Sequence, residues 1–167
     1  LKALYEADWT DPAGPIRLSA DLALAEVARI PLFHNSRVLL RAAADSGGLA
    51  TIATGNLTRA FIKQVWDELL LDDRIRQTTL KVCKVINEPD VWPLHLARVL
   101  AELGRLVSRR QKRFVITAGG RGMLPDEQAG TLFRHLFITH FRKMDLRYVA
   151  RMRDVPEIQP VLAIVLW

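Results

Sequence analysis

Apolar residues recur at helical spacing early in the chain. Positions 38, 39, 42 and 43 share one face and predict a helix over residues 33–45. The helix is expected to end at Ser46-Gly47-Gly48, where Gly47 suits a left-handed cap. A shorter helix is predicted before it, beginning at Ser19 as N-cap and halted by Pro31.

A third amphipathic stretch follows, with Asn56 as its expected N-cap. Its apolar residues are predicted to face the core, with Trp66 beside them: Phe61, Ile62, Val65 and Leu69. Polar residues at four-residue spacing, beginning with Arg59 and Lys63, line the opposite face. The next residues, 72–86, fit neither the helical nor the strand period. A plain connection, a short helix and an extended piece all stay open there.

Asn87-Glu88-Pro89-Asp90 predicts the start of another helix, because proline and early acids suit a first turn. Helix capping accounts for the carboxylates of Glu88 and Asp90. The helix is predicted to run to Leu103 and to end at Gly104. The residues predicted to be buried are Trp92, Leu96, Val99, Leu100 and Leu103. The residues predicted to face outward are His95, Arg98, Ala101 and Glu102, two of them charged.

Alternating residues then predict a β-hairpin, with strands over 106–109 and 113–117 around Arg110-Gln111-Lys112. The β-branched stretch over residues 49–54 supplies a third strand. The series is therefore helix, strand, helix, helix, strand, strand. We expect a mainly α-helical fold with a small antiparallel three-stranded sheet, like a winged helix-turn-helix domain.

The last predicted helix runs from Glu127 to about Arg151 and carries an aromatic stripe. Its apolar face comprises Leu132, Phe133, Leu136, Phe137, Phe141 and Met144. We expect this face to pack on the rest of the domain, with a dimerisation surface over residues 132–148 as the alternative. The apolar run over residues 161–167 and the absence of an initial methionine indicate a fragment.

These patterns predict three parts. They are an N-terminal helical extension over residues 1–30, a winged-helix-like domain over 31–124, and a C-terminal helical extension over 125–167, expected to be truncated. The apolar run at the end is a candidate surface for a second subunit or a missing domain.

Charge adds a candidate site to this picture. The chain has 167 residues and a formal net charge of +6, and residues 104–123 contain six basic residues and no acid. The six positive charges of this segment equal the whole formal net charge of the chain, which favours contact with a polyanion. The predicted nucleic-acid-binding residues are Arg105, Arg109, Arg110, Lys112, Arg113 and Arg121 from this segment, with Arg59, Lys63 and Arg98 from the helices.

Other chemistry finds little support in the residues. One cysteine, Cys83, excludes an internal disulfide and favours a reducing, cytoplasmic setting. The four histidines have no metal-ligand spacing, since His135 and His140 are five residues apart. Residues 119–122 are glycine-rich but lack the lysine of a phosphate loop, so they predict a turn. We expect no enzyme, no cofactor, no metal and no membrane span.

Four blocks of the sequence resemble a group of uncharacterised bacterial proteins. The blocks are TIATGNL (51–57), INEPDVWPLHLARVL (86–100), GRLVSRRQKRFVITAGGRGML (104–124) and LFRHLFITHFRKMDLRYV (132–149). In that group, similar blocks often accompany plasmid-encoded proteins of the third-open-reading-frame type. The resemblance covers roughly residues 31–167 and implies a helical, winged-helix-like fold without an assigned activity. The chain departs from the group's pattern at residues 118–120, where a lysine-rich sequence is more usual.

Two functions follow as hypotheses. The first is a non-enzymatic, sequence-tolerant DNA-binding module with a regulatory role, in which six phosphate contacts would give a salt slope of about −5. The second is a protein-interaction or dimerisation scaffold without a nucleic-acid role. A hairpin whose charges only protect an edge strand is a third interpretation of the same residues.

Overall fold

Helices make up most of the structure. The computed structural model describes residues 2–145 of the chain. The α-helices are α1 (Lys2–Glu6), α2 (Leu24–Val27), α3 (Pro31–Asp45), α4 (Arg59–Val65), α5 (Asp73–Val82), α6 (Trp92–Leu103), α7 (Ala118–Gly122) and α8 (Ala129–Ile138). Short 3-10 turns, Glu88–Asp90 and Asp126–Gln128, precede α6 and α8, and a π-helical turn, Thr139–Lys143, follows α8.

Three short strands form one antiparallel sheet in the order β1-β3-β2. The strands are β1 (Leu49–Ala50), β2 (Val107–Arg110) and β3 (Arg113–Ile116). The mainly helical fold, the hairpin and the third strand are therefore confirmed. The third strand is shorter than the predicted 49–54, because the chain reverses at Gly55, whose N–H donates to the Ile52 carbonyl at 2.9 Å.

The residues at which the helices begin were predicted less accurately than the presence of the helices. Thr58, not Asn56, caps α4 by accepting from the Phe61 N–H at 3.4 Å. The short helix α2 begins at Leu24 rather than near Ser19, whose hydroxyl instead accepts from the Asp21 N–H. Near α3, Pro31 occupies the first helical position, where its missing N–H has no cost.

Residues 72–86, left open by the sequence, contain the helix α5. Asp72 caps it by accepting from the Arg74 N–H at 2.9 Å. Its apolar residues Ile75, Leu80 and Val82 are exposed, with 57% of Leu80 and 71% of Val82 accessible to solvent. Because α5 buries little apolar surface, its sequence lacks the apolar stripe from which a helix can be predicted.

The main core lies between α3, α6 and the sheet. Its largest fully buried members include Phe33, Leu39, Leu40, Leu94, Leu100, Leu106 and Phe114. Val27 and residues of α8, among them Leu132 and Leu136, belong to the same core. The core thus includes residues from all three predicted parts of the chain, and the division into those parts stays a prediction.

The predicted inward face of α6 was correct only in part: Leu100 is buried and Leu96 and Val99 pack partly against the core, but the most buried face is a different one. Its buried residues are Leu94, His95, Ala97, Leu100 and Ala101, whereas Leu103 is 41% exposed. Nearly every position from 91 to 103 is apolar, so the sequence is compatible with several inward faces. Packing against α3 selects the face with the two small alanines, which let the helices approach closely.

The aromatic stripe of α8 packs inside the molecule, as expected. The Phe133 ring meets Phe33 edge-on with centroids 6.4 Å apart. Phe137 and Phe141 pack on a second cluster formed by Trp9 and Ile16. The helical path ends at Lys143, where Met144 turns to extended backbone, short of the predicted end near Arg151. Residues 146–151 and the apolar run 161–167 lie outside the described residues.

Candidate functional site

The six basic residues of segment 104–123 lie on or beside the hairpin formed by β2 and β3. We call residues 105–116 the basic hairpin. Strand β2 is an edge of the sheet, and its Arg110 is paired with Arg113 of β3 across the outward face. Arg109 lies opposite Phe114, at the end of the core-facing side. All of these arginines are exposed, so the hairpin presents its cations to solvent.

Two of the hairpin arginines also contact the neighbouring backbone. The Arg113 guanidinium donates to the carbonyls of Ser46 and Gly48, where α3 ends. The Arg109 guanidinium lies against Gly55, where an added Cβ would come within 2.5 Å of its nitrogen. Glycine at position 55, with a φ of +89°, therefore leaves room for this arginine.

The cations of segment 104–123 have no acidic partner in the described part of the chain. Among residues 2–145, none of Arg105, Arg109, Arg110, Lys112 and Arg121 forms an ion pair with a carboxylate. Arg121 lies on α7, which follows the hairpin directly. The hydroxyl of Thr117 connects the two regions, since it donates to the Arg105 carbonyl at 2.9 Å and accepts from the Gly120 N–H at 3.0 Å.

The backbone of the basic hairpin is strained at three of its residues. Arg105, Gln111 and Lys112 have φ values of 57°, 44° and 61°. Within residues 2–145 these are the non-glycine residues with positive φ. Positive φ at both turn residues suits a two-residue hairpin, but the favoured residues there are asparagine, aspartate and glycine. The chain thus keeps long side chains at positions where glycine would be relaxed.

Arg98, predicted to reach the same surface, lies in the interior instead. Its guanidinium donates from Nε to Glu88 Oε1 at 2.9 Å and from a terminal nitrogen to Glu102 Oε2 at 3.1 Å. It also lies 5.6 Å from the centre of the Phe114 ring. Only 12% of the Arg98 side chain is exposed, so it does not join the candidate surface.

Glu88 is the centre of this buried network, although the sequence indicated only a capping role for it. It has no solvent exposure. Its Oε1 also contacts His95 Nδ1 at 2.7 Å, and its Oε2 accepts from the Leu57 N–H at 2.5 Å. The cap is formed by Asp90, which accepts from the Asn87 N–H at 2.8 Å.

The network keeps Glu88 ionised. Burial by itself raises the pKa of this carboxyl, but the hydrogen bonds from His95 and the Leu57 N–H, together with the Arg98 charge, hold the pKa below its ordinary value. An ionised carboxylate only accepts, so the Nδ1 of His95 carries the proton that it donates. These bonds connect the start of α6 to the loop before α4, and therefore fix the segment that contains Gly55.

Arg59 and Lys63 line a cleft between α4 and α5, whose lining includes no residue of the hairpin. The cleft has a volume of about 490 Å³. Its apolar lining comprises Ile62, Trp66, Leu80, Val85 and Ile86. Lys84 adds a third cation and Asp67 an acid, while Arg59 donates from Nε to Asn87 Oδ1 at 2.9 Å. This surface is partly apolar, unlike the outward face of the hairpin.

Three histidines, His34, His95 and His135, form hydrogen bonds within the fold. His135 Nε2 donates to the Gly104 carbonyl at 2.7 Å, and His34 Nε2 donates to the Glu68 carbonyl at 2.8 Å. Burial lowers the pKa of His140. No group of three histidine, cysteine or acidic side chains in residues 2–145 could hold a metal ion. In the same range, none of the helices could span a bilayer.

Comparison with known proteins identifies the family. A family model described as the Y4jL N-terminal domain matches residues 28–130. The chain belongs to this family. An uncharacterised protein y4jL of Sinorhizobium fredii (strain NBRC 101917 / NGR234) is 32% identical over 116 residues, which cover 68% of this chain and 51% of the relative. The chain thus spans about half the length of that relative. No solved structure matches the chain.

The match to the Y4jL N-terminal domain family confirms the resemblance to uncharacterised bacterial proteins. The winged-helix assignment and the association with plasmids stay predictions. The matched range contains the basic hairpin, the Glu88 network and the α4–α5 cleft. Of these, only the hairpin was evident in the sequence, because its cations are contiguous. The cleft and the network assemble residues that lie far apart in the chain.

Proposed function

We propose that the basic hairpin binds the phosphate backbone of duplex DNA with little sequence preference, as a non-enzymatic module of a regulatory protein in the bacterial cytoplasm. In this proposal the domain is a winged helix and the hairpin is its wing. The order of the elements and the sheet order β1-β3-β2 support that assignment. Helix α5 is an addition to the predicted series.

The observation that carries the proposal is the strained, unpaired charge of the hairpin. Arg105 and Lys112 have positive φ, and neither forms an ion pair within residues 2–145. Backbone strain at a residue that could be glycine is typical of functional positions. A set of solvated cations without acids nearby attracts a polyanion and releases its counterions.

The structure of α6 supports low sequence preference. In a helix-turn-helix reader the second helix presents polar side chains to base edges. Here the polar candidates His95 and Arg98 are directed to the buried Glu88. Leu96, Val99 and Leu103 are among the partly or fully exposed residues of α6. Such residues offer no hydrogen bonds to bases, so phosphate contacts must provide the attraction.

Fluorescence anisotropy on two labelled duplexes of unrelated sequence, titrated with salt, tests the proposal. With Arg113 occupied by backbone carbonyls, five cations stay available, and a slope of about −0.9 per phosphate gives about −4.5 for log K against log salt. The two duplexes should bind alike. Replacement of Arg105, Arg109, Arg110 and Lys112 by alanine should abolish binding. A slope near zero, or no binding at low salt, would refute the proposal.

A single substitution separates DNA binding from folding. Lys112→Gly should stabilise the domain by about 1 kcal/mol, because glycine adopts positive φ without the penalty of a side chain. The same change should make the salt slope less steep by about 0.9, since one cation is lost. A variant that is stabilised and binds DNA unchanged would leave edge protection of β2 as the role of Lys112.

Arg29→Ala is the matched control for charge. Arg29 is exposed and precedes α3, whose C-terminal end contacts Arg113 of the hairpin. The 15 residues of α3 place it about 22 Å from that end. Its loss should leave the salt slope unchanged. An equal effect of Arg29 and Lys112 would show that net charge, and not the hairpin, determines binding.

The alternative function, a protein-interaction scaffold, has one specific observation in its favour. Helix α5 exposes apolar side chains, with Leu80 at 57% and Val82 at 71%. The aromatic stripe offers less support, since Phe133, Phe137 and Phe141 are each half-buried by contacts within the molecule. A scaffold without a nucleic-acid role would self-associate or bind a protein partner and show no salt-dependent binding to DNA.

A further inference from the structure

The cleft between α4 and α5 combines an apolar floor with a basic rim. Trp66 and Ile86 are half-buried, and Leu80 and Val85 are 57% and 50% exposed. Apolar side chains this exposed on neighbouring turns favour a site of protein contact.

The charges around the floor are mainly positive. Arg59, Lys63 and Lys84 line the cleft, and Lys63 and Lys84 form no ion pair with a carboxylate of residues 2–145. The one acid, Asp67, has its carboxylate 3.9 Å from the Arg76 guanidinium. An occupant must therefore bring negative charge to the rim and apolar side chains to the floor.

We infer that this cleft binds an acidic amphipathic helix of a partner protein. Such a helix presents apolar residues at positions i, i+3, i+4 and i+7 to a groove, with carboxylates beside them to meet Arg59, Lys63 and Lys84. The charge complementarity sets the direction of approach and the apolar floor supplies the buried surface. This site is separate from the proposed DNA-binding hairpin.

Two other occupants fit the cleft less well. A second copy of the chain carries the same formal net charge of +6, so like charges oppose its docking. Single-stranded nucleic acid would need an aromatic face for stacking, but the Arg76 guanidinium already lies 5.3 Å from the centre of the Trp66 ring. The apolar side chains of Leu80 and Val85 would also make no favourable contact with phosphate groups.

A charge-swap experiment on the intact chain tests the inference. The probe is a labelled synthetic peptide of about 18 residues, with leucines on one helical face and glutamates on the other. A second peptide has lysines in place of the glutamates. We expect the acidic peptide to bind at least about tenfold more tightly than the basic one, and the double variant Lys63→Glu/Lys84→Glu to reverse that preference.

Two further variants locate the binding. Leu80→Asp, at an exposed position, should weaken acidic-peptide binding at least about tenfold with only a small change in thermal unfolding. Arg110→Glu/Lys112→Glu, in the hairpin, should leave peptide binding within about twofold while removing DNA binding. Amide NMR shifts on peptide addition should concentrate in residues 59–67 and 80–86.

Several outcomes would overturn the inference. They are equal binding of both peptides, no reversal in the double variant, no binding at millimolar peptide, or shifts centred outside those residues. Concentration-dependent self-association that Leu80→Asp abolishes would assign the cleft to a second copy. Shifts of the cleft residues by duplex DNA, lost in Lys63→Glu/Lys84→Glu, would assign it to nucleic acid. If DNA binding failed while the peptide results were as expected, only the proposed function of the hairpin would be refuted.

Discussion

Removal of the Glu88 carboxylate should be among the most destabilising single changes in this chain. Glu88 is fully buried and accepts three hydrogen bonds, from His95 Nδ1 at 2.7 Å, from Arg98 Nε at 2.9 Å and from the Leu57 N–H. Glu88→Ala leaves those donors without their shared acceptor. Breaking a buried ion pair by removing one partner costs about 3–5 kcal/mol, a large share of the roughly 5–15 kcal/mol that stabilises a typical domain.

Glu88→Gln sharpens the test because it conserves shape. An amide has one accepting oxygen, whereas Glu88 uses both of its oxygens, one toward His95 and Arg98 and the other toward the Leu57 N–H. Either orientation of the amide places its NH₂ group against a donor. We therefore expect a loss of about 1–3 kcal/mol from one unsatisfied buried donor, smaller than the loss for alanine.

Denaturant unfolding at pH 7, with an unchanged slope against denaturant, measures both losses. Glu102→Gln is the matched control, since Glu102 also accepts from Arg98, at 3.1 Å, but its side chain is 40% exposed. An exposed pair of this kind contributes roughly 0.2–1 kcal/mol. If Glu88→Ala cost no more than Glu102→Gln, the argument that the buried network holds α6 and the Leu57 loop together would be wrong.

The same network predicts a pH dependence. The pKa of Glu88 in the folded chain lies below its ordinary value, because the hydrogen bonds and the Arg98 charge outweigh burial. Its contribution to stability is therefore present above the ordinary glutamate pKa of about 4.3 and is lost as the pH falls through the folded value. The gap between wild type and Glu88→Ala should be largest near neutral pH and should shrink in acid. A gap that stayed constant from pH 7 to acid unfolding would contradict the assignment.

Two comparisons between neighbouring residues test the packing. Leu100→Ala should cost about 2–5 kcal/mol, because Leu100 is fully buried, whereas Leu103→Ala, at 41% exposure, should cost less than about 1 kcal/mol; equal losses by thermal unfolding would contradict the inward face of α6. Gly120→Ala should cost about 2 kcal/mol or more, since its Cβ would lie 2.2 Å from the Leu106 carbonyl oxygen. Gly119→Ala, with 3.8 Å to its nearest neighbour, should be neutral or stabilising by about 0.5–1 kcal/mol, and a similar loss at both positions would refute the close contact.

The candidate surfaces differ in how far local sequence could predict them. The basic hairpin was predicted because six cations without an acid occur in one short segment. The alternation of residues in that segment predicted two strands around a turn. The role of Glu88 could not be predicted, since one of its partners, Leu57, lies in a loop about 30 residues earlier in the chain, and the direction in which His95 and Arg98 of α6 point depends on how that helix packs. Its position before a proline is also typical of a helix start, so the local pattern gave a plausible but incomplete interpretation.

What the sequence determined by itself is the set of local features: the helix α3 and its glycine cap, the hairpin with its turn, and the excess of positive charge. Each depends on residues within a few positions of one another, where spacing and turn chemistry act directly. The tertiary structure decided which face of α6 is buried, that Arg98 is internal, that α5 is a helix, and that α4 and α5 enclose a cleft. These depend on contacts between distant segments, and an apolar residue or an arginine has the same local pattern whichever partner the fold gives it.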